Sequence, residues 1–268
     1  MPDGSQTDRL EDFLAVAGRL ADTSGPIVRR WFREGFAVED KPDASPVTQA
    51  DREAEAALRA IITKAFPAHG IIGEEHGSER ADADYVWLLD PIDGTRRFIT
   101  GHPWFGTLIA LTHLGRPILG LVDIPMLRQR WIGVRGRPTL QRDESGIREV
   151  RTRSGIGLAE ALLGATSPHM FEGAAAAAFE RLRGAVKFPL YGGECFSYGA
   201  LAAGGLDLVA EADMAIYDFL AHVPVVEGAG GKMTDWQGRP LGLQSGDEVL
   251  AAGDSALHEA ALALLAAD

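Results

Sequence analysis

Pairs of acidic residues follow two short apolar segments of the sequence. Asp90 and Asp93 follow one in the stretch WLLDPIDGTRRFIT, and Glu74 and Glu75 follow another in IIGEE. Acids at the ends of predicted strands can be aimed at one point by the sheet that carries them. Oxygen ligands with scarcely any His or Cys nearby are those that Mg²⁺ and Mn²⁺ prefer. The pattern therefore predicts a carboxylate site for Mg²⁺, with Mn²⁺ as an alternative.

Two further acids, Asp51 in VTQAD and Asp218 in AIYDF, complete the candidate cluster. Each acid also has a simpler interpretation. Asp51 lies three residues after Thr48, which is the spacing of a capping box, and Asp218 could be a first-turn helix acid. Asp90 and Asp93, before Pro and Gly, are common turn residues. These interpretations explain the acids one by one, but not why an apolar strand ends twice in an acid pair.

Gly94 and Thr95 directly follow the second acid pair. At a junction between a strand and a helix or turn, their backbone N–H groups could hold a phosphate, and the Thr95 hydroxyl could hold a water. Metal ligands, phosphate donors and a group that positions water together indicate hydrolysis of a phosphate ester.

Composition excludes several classes of protein. The chain has 268 residues, 46% of them hydrophobic, and no apolar run approaches the ~18 to 20 residues that a membrane span needs. A net charge of -12 argues against non-specific binding of nucleic acid. One cysteine excludes an internal disulfide, and the acidic N-terminus lacks the pattern of a secretory signal, so we expect a cytoplasmic protein without a membrane partner.

Hydrophobic periodicity predicts helices first and a mainly antiparallel sheet next. One helix is expected from about Thr7 to Glu34, with an interruption at Ser24-Gly25-Pro26, and another from about Thr48 to Phe66. Strands are expected to end at Gly73 and at Asp90, and three more follow up to RQRWIGVRG.

The second half of the sequence alternates helical and strand-like segments, which is typical of an α/β layer. One helix is expected over YDFLAHVPVVEGAGG. A polar, Gly-containing segment near residues 140 to 150 divides the chain into a helix-plus-sheet half, 1–145, and an α/β half, 146–268. Nothing there resembles a flexible linker, so the halves are expected to form one compact unit.

Four ordered motifs resemble those of the inositol monophosphatase superfamily: SPVTQAD, IIGEE, WLLDPIDGTRRF and YDFLAHVPVVEGAGG. The resemblance implies a layered α/β/α/β/α sandwich and hydrolysis of small phosphomonoesters that depends on two or three Mg²⁺ ions per active site. It also implies a homodimer.

Position by position, the resemblance assigns roles to the residues of the cluster. The implied metal ligands are Glu74, Asp90, Asp93, Asp218 and the backbone carbonyl of Ile92. Asp51 and Thr95 are implied to orient the attacking water, and the amides of Gly94 and Thr95 to bind phosphate.

The substrate is suggested by departures from the inositol enzymes. Arg96 and Arg97 replace a polar pair with Asn, and the runs FITGHPWFGTLIAL, TSPHMF and YGGECFSYGALAAG resemble histidinol-phosphate phosphatases of the same superfamily. Their substrate carries an ammonium and an imidazole group, which suits Glu194 and Glu211 as substrate-binding acids. Arg97 either binds substrate with them or only pairs with Glu194.

Three functions therefore stay open at this point. The first is Mg²⁺-dependent hydrolysis of L-histidinol phosphate, and the second is hydrolysis of inositol monophosphate or another small sugar or nucleoside phosphate. The third is non-catalytic binding of a metal or phosphate. A mere binder has no need of a water-orienting pair, and both Asp51 and Thr95 are present.

Overall fold

A computed structural model describes residues 4–35, 38–40 and 46–266. The α-helices in these ranges are α1 (Gly4–Glu34), α2 (Gln49–Ala65), α3 (Thr95–Ile99), α4 (Gly173–Ala185), α5 (Glu194–Ala202), α6 (Ile216–Phe219), α7 (His222–Gly228) and α8 (Ser255–Leu265). The strands of the first half are β1 (Val38–Asp40), β2 (Pro46–Thr48), β3 (Gly70–Gly73), β4 (Gly77–Glu79), β5 (Tyr85–Asp93), β6 (Gly106–His113), β7 (Arg116–Ile124), β8 (Gln129–Val134), β9 (Leu140–Asp143) and β10 (Gly146–Glu149). Those of the second half are β11 (Leu162–Ala165), β12 (Phe188–Tyr191), β13 (Leu208–Glu211), β14 (Lys232–Thr234) and β15 (Val249–Ala252).

Two sheets organise the protein, beside the short β1–β2 pair. The large sheet has the order β10-β9-β8-β7-β6-β5-β3-β4 and is antiparallel except for the parallel pair β3 and β5. The small sheet has the order β12-β11-β13-β15-β14, and β11 runs parallel to both of its neighbours. The prediction of a mainly antiparallel first sheet is confirmed.

Helices cover both faces of each sheet, so the layers alternate as expected for a sandwich. Helices α1 and α2 pack on the outer face of the large sheet around Leu20, Leu58 and Trp87. Helices α5 and α7 lie between the sheets, where Trp131 and Tyr198 belong to one continuous core. Helices α4 and α8 cover the outer face of the small sheet. The structure thus has the α/β/α/β/α layers that the sequence predicted.

Helix α1 differs from the prediction because Ser24-Gly25-Pro26 does not interrupt it. Proline removes one backbone donor and normally breaks or kinks a helix. Here the residues on either side, Leu20 and Val28, are fully buried, and the buried Ser24 hydroxyl hydrogen-bonds that of Thr107 at 2.7 Å. Tertiary packing along the whole length therefore outweighs the local preference for a break.

Other boundaries also differ from those predicted. Strand β5 continues to Asp93 instead of ending at Asp90, and the single helix predicted over YDFLAHVPVVEGAGG is divided into α6 and α7. The polar segment near residues 140 to 150 forms strands β9 and β10 at the edge of the large sheet, which periodicity did not reveal. The division of the chain into 1–145 and 146–268 stays a prediction.

Helix α2 agrees closely with its prediction, since it begins at Gln49 with Thr48 as N-cap and ends at Ala65. None of the helices within the described ranges has the length and apolar character needed to cross a membrane.

Candidate active site

The parallel pair β3 and β5 places three of the predicted acids at one edge of the large sheet. Gly73, the last residue of β3, is opposite Leu89, so Glu74 comes next to the end of β5. The backbone amide of Glu74 donates to the Leu89 carbonyl at 3.2 Å. Because the carboxyl ends of parallel strands meet at the same edge, Glu74 and Asp90 are neighbours although sixteen positions apart in the chain.

An irregularity in β5 separates Asp90 from Asp93. Asp90 pairs with Leu108 and Asp93 with Gly106 of β6, so the register shifts between them. The Ile92 amide donates to Asp90 Oδ1 at 3.0 Å within this shifted segment. Such irregularities re-aim side chains beside active sites, and this one directs two acids of one strand toward the same region.

Asp51 is held by the capping box that the simpler interpretation suggested. The Thr48 amide and hydroxyl donate to Asp51 Oδ2 at 2.9 and 2.5 Å. The other oxygen, Oδ1, is buried and has no hydrogen-bond partner among the described residues. Asp51 therefore takes part in the capping box of α2 and also has a buried acceptor oxygen that is available for a ligand. The structural interpretation and the functional one are thus compatible.

Asp218 is placed by α6 in a similar way. The Ala215 amide donates to Asp218 Oδ2 at 2.8 Å, which anchors the carboxylate at the first turn of the helix. Burial first, and then the like charges of Asp93 and Glu74, raise the pKa of Asp218 well above its usual range, so all three carboxylates are close enough to interact. Asp218 thus joins the cluster from the second half of the chain.

Burial and mutual repulsion shift the titration of this cluster. Burial, followed by the charges of Glu74, Asp93 and Asp218, raises the pKa of Asp90 well above its usual range. Burial raises the pKa of Asp93 to about 7, and it raises that of Asp51 to about 6. Carboxylates buried together in this way are stabilised as anions by a cation.

The donor set fits a hard divalent cation by its chemistry. It consists of carboxylate oxygens, and the Asp51 Oδ1 acceptor is buried without a partner beside them. Within the described residues, however, no three His, Cys, Asp or Glu side chains are grouped as ready-made metal ligands. Backbone amides already hold one oxygen of Asp90, Asp93 and Asp218. The predicted roles of Glu74, Asp90, Ile92, Asp93 and Asp218 as metal ligands stay predictions.

Thr95 and Gly94 lie at the start of the short helix α3. Gly94 has a φ of +84°, which glycine adopts without strain. The Thr95 hydroxyl donates to the Ile92 carbonyl at 3.1 Å, which joins the predicted water-orienting residue to a predicted metal ligand. Both Gly94 and Thr95 line the cavity described next.

A cavity of about 260 Å³ is lined by residues from both halves of the chain. The large sheet and the segments after its strands contribute Glu74, Asp93, Gly94, Thr95 and Arg96. The second half contributes Thr166, Glu194, Cys195, Tyr198, Glu211, Met214, Asp218 and His222. The cavity lining thus brings together most of the residues that the sequence singled out, but it does not include Asp51, Asp90, Ile92 or Arg97.

Glu194 is the first residue of α5 and lines the cavity. Its side chain is only 7% exposed. Arg97 Nε donates to Glu194 Oε1 at 2.7 Å, while Oε2 is buried and finds no hydrogen-bond partner in the part of the chain that the structure describes. The pairing of Arg97 with Glu194 is therefore formed, and one carboxylate oxygen is left over.

Glu211, the second predicted substrate acid, has both oxygens engaged. Oε1 accepts from the Thr166 amide and hydroxyl at 2.9 and 2.6 Å, and Oε2 accepts from the Tyr198 hydroxyl at 2.7 Å. Burial nevertheless raises its pKa. The sequence did not identify Thr166 or Tyr198 as partners of Glu211, because they lie on other elements and only the fold brings them together.

His222 adds an aromatic surface to the cavity. Its ring stacks on that of Tyr198 at 4.0 Å with an interplanar angle of 4°. Burial lowers its pKa to about 3, so the ring is neutral near pH 7. The sequence offered no signal for this role, since His222 has no spacing of a metal ligand.

Two sheets between layers of helices, with buried acids around a cavity, are the arrangement expected of a layered α/β phosphatase. The chain belongs to the inositol monophosphatase family, whose profile matches residues 9–267. It is therefore a phosphoric monoester hydrolase of that family.

Individual relatives cover nearly the whole chain. The chain is 50% identical to the chloroplastic bifunctional phosphatase IMPL2 of Arabidopsis thaliana, over 94% of this chain and 75% of that protein. It is 34% identical to the histidinol-phosphatase of Mycobacterium tuberculosis, over 85% of this chain and 88% of that protein. A solved structure of an inositol monophosphatase from Zymomonas mobilis superposes with a TM-score of 0.86 at 48% identity, covering 95% of this chain and 98% of that one.

Proposed function

We propose that this protein hydrolyses L-histidinol phosphate to L-histidinol and inorganic phosphate with the help of Mg²⁺. One observation carries the choice of substrate: Glu194 Oε2 is a buried, unsatisfied carboxylate oxygen on the same cavity as Asp93 and Thr95. A buried acceptor without a partner is costly. A ligand that carries a phosphate at one end and an ammonium at the other satisfies both sides of the cavity.

The acid cluster supplies the hydrolytic end of this cavity. Glu74, Asp90, Asp93, Asp218 and the Ile92 carbonyl would hold the cation. When bound, Mg²⁺ supplies positive charge that stabilises the phosphate oxygens during displacement and favours ionisation of water.

Asp51 and Thr95 act on the attacking water. Asp51 Oδ1 is an unused acceptor for a water proton, because Thr48 occupies only Oδ2. The Thr95 hydroxyl, whose proton is given to the Ile92 carbonyl, has lone pairs left for a second water proton. Amides of Gly94 and Thr95 are proposed to hold the phosphate, so that the water lies in line with the leaving alcohol oxygen.

The names of similar proteins support both L-histidinol phosphate and the alternative substrate, inositol monophosphate. The Mycobacterium tuberculosis relative is a histidinol-phosphatase, and the Arabidopsis relative is a bifunctional phosphatase. The Zymomonas structure is of an inositol monophosphatase and is similar over nearly the whole chain. Inositol monophosphate is therefore the second candidate substrate.

The test is a panel of phosphomonoesters assayed with Mg²⁺, with Mn²⁺ and with EDTA. We expect kcat/KM for L-histidinol phosphate to exceed that for myo-inositol monophosphate at least tenfold, and EDTA to abolish turnover of both. A higher kcat/KM for the inositol ester would overturn the substrate. Full activity in EDTA would overturn the metal site.

A folded variant with no turnover distinguishes catalysis from mere binding. Asp93→Asn removes the charge of a predicted metal ligand while preserving an acceptor for the Cys195 amide, which donates to Asp93 Oδ2 at 2.8 Å. We expect native circular dichroism and no measurable hydrolysis, whereas full activity would contradict the assignment. The homodimer stays a prediction, for which analytical ultracentrifugation is the measurement.

A further inference from the structure

Glu194 has an unusual backbone conformation for a residue with a long side chain. It is the first residue of α5, and its φ of +44° lies in the left-handed region that residues other than glycine rarely adopt. Strained conformations of this kind persist only where the surrounding structure imposes them, and they cluster at functional sites. The Glu194 side chain contacts two residues from a distant part of the chain, Gly94 and Arg97.

The side chains of Glu194 and Arg97 occupy space that is open only because Gly94 and Gly192 have no Cβ atom. A Cβ on Gly94 would approach Glu194 Cγ to 2.9 Å, so the stem of Glu194 lies directly on the backbone of Gly94. A Cβ on Gly192 would collide with the Arg97 guanidinium. Both glycines have positive φ, +84° and +82°. The backbone on each side therefore confines the ion pair.

Arg97 engages only one oxygen of Glu194. Its Nε lies 2.7 Å from Oε1, and the Glu194 side chain is 7% exposed. Within the described ranges, Oε2 is buried without a hydrogen-bond partner. Arg97 itself is not among the residues that line the cavity, whereas Glu194 is. The Arg97 guanidinium is thus placed to orient the Glu194 carboxylate without itself lining the cavity.

We propose that Arg97 is a positioning residue, which fixes Glu194 so that Oε2 receives the cationic group of an amino alcohol phosphate. The proposal rests on the proposed function, because it assumes a substrate with an ammonium group. Arg97 then acts on the substrate only through Glu194, and Arg96 is the member of the arginine pair that lines the cavity.

Glu194 and Glu211 differ in the number of hydrogen bonds that their carboxylate oxygens already accept. Glu211 already accepts three hydrogen bonds, two from Thr166 and one from Tyr198. Glu194 accepts one from Arg97 and has a whole oxygen left. Glu194 is therefore the cation-binding residue in this proposal, and Glu211 chiefly ties β13 to the segments that carry Thr166 and Tyr198.

The experiment compares Arg97→Met and Arg97→Lys with the wild-type enzyme on two matched esters, 2-aminoethyl phosphate and ethyl phosphate, and on L-histidinol phosphate. For Arg97→Met we expect KM for the two cationic esters to rise at least tenfold, with kcat changed less than twofold. We expect kcat/KM for ethyl phosphate to change less than twofold. Arg97→Lys retains a positive donor and should recover part of the loss, and it serves as the test variant if Arg97→Met does not fold.

A double variant and a control separate positioning from general stability. Arg97→Met combined with Glu194→Gln should be no worse than Glu194→Gln alone, because the two residues act in sequence. Arg183→Met removes an exposed arginine that pairs with Glu180 on α4, and it should leave all three esters unaffected. Equal losses on cationic and neutral esters, or independent losses that multiply in the double variant, would overturn the positioning role.

Failure of this proposal can be distinguished from failure of the proposed function. A wild-type enzyme that favours myo-inositol monophosphate over L-histidinol phosphate overturns the substrate. A wild-type preference for 2-aminoethyl phosphate over ethyl phosphate that survives unchanged in Arg97→Met overturns the role of Arg97 alone. No wild-type preference between these matched esters overturns the cation-binding role of Glu194 and with it that of Arg97, whichever of L-histidinol phosphate and myo-inositol monophosphate the enzyme favours.

Discussion

Thr48 and Asp51 are joined by two hydrogen bonds to a single carboxylate oxygen, from the Thr48 amide at 2.9 Å and from its hydroxyl at 2.5 Å. The other oxygen of Asp51 is buried without a partner, close enough to Glu74 for that charge to raise its pKa further. Glu194 is divided in the same way, with one oxygen on Arg97 and one unsatisfied. In both acids the fold orients one oxygen and leaves the other available.

Removing the Thr48 side chain should affect stability and turnover together. Thr48→Ala loses the N-cap of α2 and one of the two bonds that orient Asp51, so we expect a loss of about 1 kcal/mol in the free energy of unfolding. We also expect kcat to fall at least tenfold. Asp254→Ala is the matched control, since Asp254 caps α8 by accepting from the Leu257 amide at 2.8 Å. It should lose stability and keep its kcat, and undiminished turnover in Thr48→Ala would contradict the catalytic use of Asp51.

Neutralising one acid of the cluster should stabilise the protein when divalent cations are absent. Asp90 is buried near the like charges of Glu74, Asp93 and Asp218, so Asp90→Asn relieves repulsion. We expect the free energy of unfolding in EDTA to rise by roughly 1 kcal/mol. In Mg²⁺ the order should reverse, because only the wild-type cluster gains binding energy. Urea denaturation in both buffers measures this, with Asp82→Asn, at an exposed position, as the control. A lower stability of Asp90→Asn in EDTA would contradict it.

Two helical glycines should respond to alanine with opposite signs. A Cβ on Gly199 of α5 would come within 2.7 Å of the Trp131 ring, so Gly199→Ala forces the helix away from β8 and should cost about 1 to 3 kcal/mol. A Cβ on Gly184 of α4 would lie in open space, with no neighbouring atom within 4 Å, so Gly184→Ala should stabilise by roughly 0.5 to 1 kcal/mol. Thermal or urea unfolding of both variants measures the difference. Similar changes in the two would contradict the close packing of α5 on Trp131.

His258 should make the fold sensitive to mild acid. It is fully buried, its Nε2 is 2.9 Å from the Thr234 hydroxyl, and burial, aided by Lys232, lowers its pKa to about 4. Because the pKa in the unfolded chain is near 6.5, the unfolded state binds more protons between pH 6.5 and 4. Stability contributed by neutral His258 is therefore complete above pH 6.5 and is lost as the pH falls toward 4.

The measurement is urea unfolding at pH 7 and at pH 5. Protonation of His258 should account for up to about 2 kcal/mol of the acid-induced loss. His258→Gln should lose less stability than the wild-type protein over that interval, while His169→Gln, at an exposed position, should behave like the wild-type protein. An identical pH response of His258→Gln and wild type would contradict a neutral buried histidine.

Local signals in the sequence were sufficient for the elements that carry the acid cluster. The capping-box spacing from Thr48 to Asp51 and the apolar face behind it located α2 almost to the residue. The apolar runs before Glu74 and Asp90 located β3 and most of β5. These features depend on neighbours within a few positions, which a single sequence reveals directly.

Features that depend on distant contacts were missed or left open. Local chemistry favoured a break at Pro26, but burial on both sides keeps α1 continuous. Nothing in the sequence indicated that Glu194 takes a left-handed conformation, or that its side chain contacts Gly94 and Arg97, about a hundred positions away. The three hydrogen bonds of Glu211 to Thr166 and Tyr198 were missed for the same reason.

The residues around the cavity come from two separate segments of the sequence, which has a consequence for how the substrate range changes in evolution. Apart from Asp218, the predicted hydrolytic residues come from the segment 51–95, whereas Glu194, Glu211 and Met214 come from the segment 194–214. If Glu194 and Glu211 contact the leaving alcohol, as proposed, substitutions in the second segment exchange one leaving alcohol for another while the first segment keeps its chemistry. In the proposed scheme, the residues that select the substrate and most of those that carry out hydrolysis lie in separate stretches of the sequence. Relatives of this chain accordingly bear the names of different phosphatases.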